Sequence, residues 1–305
     1  MSAVILSHDK FQESPPGGGP PPAGAEPAET SSAPPSAPPE AKRPSGWNWG
    51  AGAAAVLQAT LPALLGLGLF IAVWALVAQQ SPNLPGPVKT WASAVEIFSD
   101  PFYQKGPNDQ GIGWNILSSL QRVGIGFGMA ALVGIPLGFM IGRFRFLSDM
   151  TAPIISLLRP VSPLAWLPIG LLVFKAANPA AIWVIFISSI WPMIVNTAMG
   201  VRQIPEDYLN VARVLKLPEW TVFTKILFPA VLPFMLTGVR LSIGVAWLVI
   251  VAAEMLTGGV GIGFWVWDEW NNLNVEHIII AIFVVGIVGL LLEQALVLLA
   301  KRFNY

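Results

Sequence analysis

Hydrophobic and polar positions along this chain alternate in blocks much longer than a soluble core uses. Apolar runs occupy approximately residues 54–78, 114–141, 150–174, 180–200, 229–256 and 277–300. Each is close to the roughly 20 residues that a helix needs to cross a bilayer, where every backbone group has to be satisfied internally. The pattern predicts an all-α membrane protein with six transmembrane helices. The first loop, 79–113, carries turn signals at Pro82, Pro85-Gly86-Pro87 and Gly106-Pro107, and Val88–Phe98 inside it reads as a helix lying along the membrane surface. The third run holds Pro153, Pro160, Pro163 and Pro168. Proline removes a backbone donor and clashes with the preceding turn. Broken helices survive in a bilayer only where protein or a water-filled cavity meets the freed groups. This segment, Ser162 and Pro163 included, is therefore expected to line a pathway or a gate. Pro192 predicts a kink in the fourth run.

Within the second run, Gly124 and Gly128 are four residues apart, as are Gly134, Gly138 and Gly142. Small residues at this interval let helices approach closely in lipid. No strand precedes them, so they do not read as a nucleotide-binding loop. Between the fourth and fifth runs lies a different pattern, Pro205 to Pro218. Tyr208, Val211, Ala212 and Leu215 recur at helical spacing on one face, while Glu206, Asp207, Asn210, Arg213 and Lys216 ring the rest. Acids in the first turn and Lys216 in the last suit the helix macrodipole. Pro205 fits the start, Pro218 stops the helix after Leu217, and a second helix is expected to begin at Pro218-Glu219-Trp220. A polar helix between membrane spans that keeps an apolar stripe needs a partner to cover it. The last loop, Gly258 to Trp270, is rich in glycine and tryptophan and suits a membrane–water interface.

Composition narrows the function. Of 305 residues, 54% are hydrophobic and 11% charged, and the mean hydropathy is +0.64. The formal net charge is zero, which gives no reason to expect nucleic acid as a partner. Cysteine is absent and the two histidines, His8 and His277, are far apart, so disulfides are excluded and a metal site has almost no ligands. No phosphate-binding loop of the Gly-x-x-x-x-Gly-Lys-Ser/Thr type is present, so no cofactor is expected on this chain; if ATP and Mg are used, another chain binds them. Residues 1–45 form a Pro/Gly-rich tail expected to be disordered, and 46–305 a transmembrane domain with its main loop at 202–228. Val4-Ile5-Leu6 is too short for a signal-peptide core.

The basic residues orient the spans. Lys10, Lys42, Arg43, Arg143, Arg145, Arg202, Arg213, Lys216, Lys225, Lys301 and Arg302 lie on one side; Lys89, Lys105 and Lys175 lie on the other. Eleven against three places both termini and the 202–228 loop in the cytoplasm. Arg122, Arg159 and Arg240 fall within spans, where each costs roughly 2.5–3.5 kcal/mol at a helix centre, so none is expected to face lipid. They either set a positive potential along an anion path or brace the bundle. Arg240 is the first choice for the path, with open space beside it at Gly244. Glu254 and Glu293 are the acids in or near spans, Glu293 close enough to Lys301 to reach water. The serines Ser118, Ser119, Ser162, Ser188 and Ser189 have no nearby histidine or lysine partner, which argues against a membrane-embedded enzyme.

The 205–218 run resembles the coupling loop of permease subunits of ATP-binding-cassette importers. The family signature of Glu-Ala-Ala, a Gly four residues on, and Ile-x-Leu-Pro after nine more is similar to Asn210-Val211-Ala212, Lys216 and Ile226-Leu227-Phe228-Pro229. Ala212, Ile226 and Pro229 keep the consensus; Asn210, Val211, Lys216 and Phe228 depart from it. Ser119-Leu120-Gln121-Arg122-Val123, Pro163-Leu164-Ala165-Trp166-Leu167-Pro168 and Ala252-Ala253-Glu254-Met255-Leu256 through Gly263 extend the likeness to the nitrate branch of the nitrate/sulfonate/bicarbonate permeases, over about 55–303. The resemblance implies a type I, MetI-like fold in a bacterial inner membrane. It also implies a homodimer, two cytoplasmic ATPase subunits, an external solute-binding protein, and nitrate (or nitrite) as cargo, as in nitrate assimilation. Bicarbonate, cyanate or an alkanesulfonate are the alternative cargoes. An ATP-independent secondary transporter or channel is the rival class, separated by whether an ATPase co-purifies.

Overall fold

The computed structural model describes residues 49–303; the expected tail, 1–45, lies outside them. The described residues from Thr60 onward form one compact unit, and of the preceding residues only the first turns of α1 are described.

Helix α1 (Trp49–Gln80) runs through Pro62, and its portion from Thr60 onward has no fully buried residue and is largely exposed, as lipid contact allows. At its end the Trp74 indole N–H donates to the Pro85 carbonyl (3.1 Å), and Phe70 and Trp74 meet Phe283. Helix α2 (Pro87–Ser99) begins with proline in its first turn and leaves Val88, Trp91, Val95 and Phe98 exposed, the surface helix expected from the sequence. The bundle core is α3 (Ile112–Arg143), α6 (Ala177–Arg202) and α9 (Phe228–Thr257). Helix α6 continues unbroken through Pro192.

Glycines set the α3–α6 contact, though not those that the sequence spacing paired first. A Cβ at Gly126 would lie 2.8 Å from the Ile182 carbonyl, at Gly138 2.6 Å from the Thr197 Cβ, and at Gly142 2.6 Å from the Val201 Cβ. Gly124 and Gly128 have nothing within 4 Å in the protomer. The partners advance together along both helices, so α3 and α6 run parallel. Ser242, in contrast, donates to the Ser189 carbonyl (2.7 Å), while Gly238 meets Pro192 and Gly200 meets Phe234, so α9 is antiparallel to α6.

Parallel α3 and α6 decide the third span. The chain between them has to return from one end of the bundle to the other. It does so in two pieces rather than one: α4 (Arg145–Leu158), and a 3-10 turn at Pro163–Trp166 that leads into α5 (Leu167–Phe174), bent by 96°. The 150–174 run is thus broken, as its prolines lead one to expect. Pro153 and Pro168 are accommodated inside α4 and in the first turn of α5; Pro160 and Pro163 sit at the bend. Five continuous helices among the described residues are long and apolar enough to cross a membrane, and the bent pair, counted as one span, gives a sixth.

The polar helix α7 (Glu206–Val214) ends sooner than the sequence suggests. Leu215 caps it, Lys216 adopts a left-handed φ of 50°, the Leu217 N–H donates to the Ala212 carbonyl (3.0 Å) and the Lys216 N–H to that of Arg213 (3.0 Å). That hydrogen-bond pair is a Schellman stop, whose left-handed residue is usually glycine. The signature glycine thus has a geometric reason, and Lys216 occupies its position under strain. Helix α8 (Glu219–Val222), with Pro218 at its N-cap, continues through a π turn at Phe223–Leu227 into α9. Helices α10 (Ile262–Asn271) and α11 (Val275–Phe303) complete the fold.

Candidate functional site

Three sites carry the residues that the sequence singled out. The first is the surface of α7. Ala212 is buried at 3% and packs with Val201, Ile204, Phe139, Val222, Leu227 and Val231 of its own protomer. Leu209 is partly buried beside it. Ala212 therefore anchors α7 to the bundle and does not lie on its exposed face. That face is Tyr208, Val211, Val214 and Leu215, all exposed, bordered by exposed Glu206, Asp207, Asn210, Arg213 and Lys216. Val214 belongs to this face although the i, i+3, i+4 stripe did not include it.

The second site fastens the opposite end of the bundle. Glu254, near the end of α9, is 1% exposed, and its carboxylate is met by three donors from two other helices. Arg122 Nη1 of α3 donates at 2.5 Å, Ser119 Oγ of α3 at 2.8 Å, and the Gly263 amide of α10 at 3.0 Å. Ser119 Oγ also accepts the Ile262 N–H (2.9 Å), and Asn115 Oδ1 accepts the Gly261 N–H (2.9 Å). The first amides of α10, which have no intrahelical acceptor, are thus satisfied by side chains of α3 and α9, with an anion at the helix N-terminus where the dipole favours it. The close approach requires glycine: a Cβ at Gly261 would strike the Glu254 carboxylate, and one at Gly263 the Val251 carbonyl. Gly258 and Gly259 (φ 77° and 96°) make the turn into this loop. Arg122 also donates through Nε to Asn178 at the start of α6, and its side chain is only 12% exposed. A half-polar cavity of about 530 Å³ lies alongside, lined by Ser118, Gln121, Arg122, Asn178, Thr257 and Gly258 among others.

The third site lies at the break in the third span. Arg159 caps α4 through its backbone N–H, which donates to the Ile155 carbonyl (2.9 Å), and its side chain makes no hydrogen bond or ion pair among the described residues. It lines two cavities at once. One, about 270 Å³, holds Ser162, Pro163, Ser188, Trp191 and Pro192 at mid-length of α6; the other, about 340 Å³, holds Ser148, Thr151, Ser156, Arg202 and Gln203 toward the α7 end. Arg159, Ser162 and Pro163 are therefore brought together, as their clustering in sequence anticipated.

Arg240 is placed differently from the sequence reading. Its guanidinium donates through Nε (2.9 Å) and Nη2 to Glu293 Oε1 of α11, the two side chains being 54% and 44% exposed in the protomer. The space beside Gly244 is open as expected, but the charge is already met by a neighbouring carboxylate. Arg122 and Arg240 each pair with an acid more than 50 residues away along the chain, so no local motif announced either pair.

Comparison with known proteins agrees with this architecture. A family model described as "Binding-protein-dependent transport system inner membrane component" matches residues 134–305. The "Nitrate import permease protein NrtB" of Synechocystis sp. is 48% identical over 229 residues, 75% of this chain and 83% of that protein. The protein of the same name from Leptolyngbya laminosa is 44% identical, covering 87% and 95%. The "Bicarbonate transport system permease protein CmpB" of Synechocystis sp. is 44% identical, covering 79% and 88%. Among solved structures, a chain of the methionine ABC transporter MetNI in inward facing conformations matches with a TM-score of 0.54 at 13% identity, covering 63% of this chain and 95% of that one, a likeness of fold. The chain belongs to the binding-protein-dependent transport system inner membrane components, the permease subunits of ABC importers.

Proposed function

We propose that this permease carries a small planar oxyanion, nitrate first, as one half of a homodimer with both termini in the cytoplasm. The observation that carries the cargo is the 44–48% identity to three permeases named for nitrate import. Bicarbonate is the second reading, favoured by 43–44% identity to permeases named for its transport. Both ions are planar with one negative charge, and a guanidinium fork suits either. ATP and Mg belong to two partner ATPase subunits, and an external solute-binding protein delivers the ion. The exposed face of α7 seats on the ATPase, which moves the helix as a rigid lever. Arg159 is the path cation, since Arg122 and Arg240 are each neutralised within the protomer.

The test is uptake of labelled nitrate by proteoliposomes that hold the permease, its ATPases and its binding protein. Arg159→Gln should lower uptake roughly 10- to 100-fold, the worth of a charged hydrogen bond, with assembly and basal ATP hydrolysis retained; Arg159→Lys should keep part of it. Labelled bicarbonate accumulating in place of nitrate would select the second reading. Loss on Arg240→Gln with none on Arg159→Gln would move the path to Arg240.

A further inference from the structure

Beneath the α3 terminus lies a groove of about 490 Å³ that the transport reading does not use. Ile135, Pro136, Phe139 and Met140 of α3 form one wall; Trp220, Phe223, Leu227 and Phe228 form the other, so its surface is almost wholly apolar. The aromatic wall is preformed: Phe139 lies 5.1 Å from Phe223, and Trp220 stacks on Phe223 at 5.8 Å between ring centroids. Two charges line the same groove, Arg143 in the last turn of α3 and Glu219 in the first turn of α8. Both are exposed, and neither side chain has a hydrogen bond or ion pair among the described residues. Trp220 and Phe144, which also line it, are exposed.

We infer that this groove is a phospholipid site specific for a phosphate–ammonium headgroup of the phosphoethanolamine type, with one acyl chain along the aromatic wall. Several features of the groove point to that occupant. It opens at the end of a membrane span, where amphipathic aromatic side chains mark the headgroup level. An apolar channel of this size at that depth meets hydrocarbon before anything else. An unpaired cation and an unpaired anion on one rim complement a headgroup that carries both: the phosphodiester on Arg143 and the primary ammonium on Glu219. A purely anionic headgroup would leave Glu219 opposed. A choline headgroup has no N–H to donate to Glu219. The inference holds whichever ion the protein carries.

The assembled transporter, permease with its ATPase subunits, is placed in nanodiscs containing phospholipids with a diazirine in the acyl chain. After photolysis the labelled peptides are mapped by mass spectrometry. The phosphoethanolamine probe should label 135–144 and 219–228 in preference to the phosphocholine and phosphoglycerol probes. Arg143→Gln should reduce that labelling about fivefold, the worth of one basic side chain at a lipid headgroup, without changing labelling of α1. Glu219→Gln should abolish the preference over phosphocholine while leaving total labelling nearly intact. Equal labelling by the three probes, or by a headgroup-free diazirine diacylglycerol, overturns the site. So does protection of both peptides from every probe, with cysteines at Met140 and Phe223 instead cross-linking to an ATPase subunit or a second permease copy.

Discussion

Removing both side chains of the buried Arg122–Glu254 pair should cost clearly less than the sum of removing each alone. Glu254 is 1% exposed, and its carboxylate holds one guanidinium, one hydroxyl and one backbone amide. Glu254→Gln keeps an acceptor for the Gly263 amide but leaves Arg122, only 12% exposed on its side chain, with Asn178 alone. Arg122→Gln leaves the carboxylate uncompensated. Breaking a buried pair from one side typically costs about 3–5 kcal/mol, because the remaining charge stays desolvated. For a chain of this size that corresponds to a fall in Tm on the order of 10 °C. The double variant Arg122→Gln/Glu254→Gln buries no charge, so its loss should be smaller than the sum of the two singles by about 3 kcal/mol. The assay is thermal or denaturant unfolding of the purified permease in one fixed detergent, for wild type and the three variants. Losses that add to within about 0.5 kcal/mol, the ordinary tolerance for independent sites, would refute a mutual ion pair. A readout at the far end separates local from global effects. Because the pair caps α10, a fluorophore on Asn272 should report loosening in both single variants before the bundle unfolds.

Topology follows from the charge count and needs no cysteine-free background to be built: single cysteines at Ser148 and Glu219 should react only from the cytoplasm, those at Asn108 and Asn272 only from outside, and reversed labelling would overturn the assignment. On α7 the two faces should separate cleanly. Tyr208→Asp or Val211→Asp should leave unfolding unchanged and lose ATPase binding, whereas Ala212→Asp puts a carboxylate in the protomer's own core and should lower its stability by several kcal/mol; equal effects on both measurements would mean the faces are misassigned. Lys216→Gly relieves a left-handed φ of 50° and should stabilise the α7 stop by about 1 kcal/mol, seen as slower proteolysis of the 202–228 loop; faster proteolysis would show that the lysine side chain contributes more than the strain.

How much was legible beforehand depended on whether the signal was local. Apolar runs of span length and the period of α7 are local patterns, and the helices appear where they do. The stop of α7 was half legible, since Lys216 stood at the position where the signature keeps glycine, and the left-handed φ explains that glycine. The glycine contacts show what spacing cannot settle. Gly124 and Gly128 share an interval of four with Gly134, Gly138 and Gly142, yet α3 turns Gly126 with the latter three toward α6. A repeat of four marks a face without saying which of two adjacent faces finds a partner. The proline count in the third span predicted a break; its 96° angle depended on α6 running parallel to α3, a relation between distant segments.

The arginines show the same limit and turn it into an argument about conduction. Sequence alone puts Arg240 ahead of Arg122 and Arg159, because the residues that neutralise Arg122 and Arg240 lie 132 and 53 positions away. Once Glu254 and Glu293 are placed, each of those arginines belongs to a neutral pair whose field falls off steeply with distance. Arg159 keeps its whole charge. At an effective dielectric constant of about 20, a monovalent anion 4 Å from an unpaired guanidinium is drawn by about 4 kcal/mol. Beside a tight ion pair the acid cancels most of that attraction. Such a pull can concentrate an anion in the cavities on either side of Arg159 without holding it long, which is what transfer from one cavity to the next demands. In a homodimer two such charges would act together, so the broken span, rather than the helix carrying Arg240, is where the cargo should feel the protein most strongly.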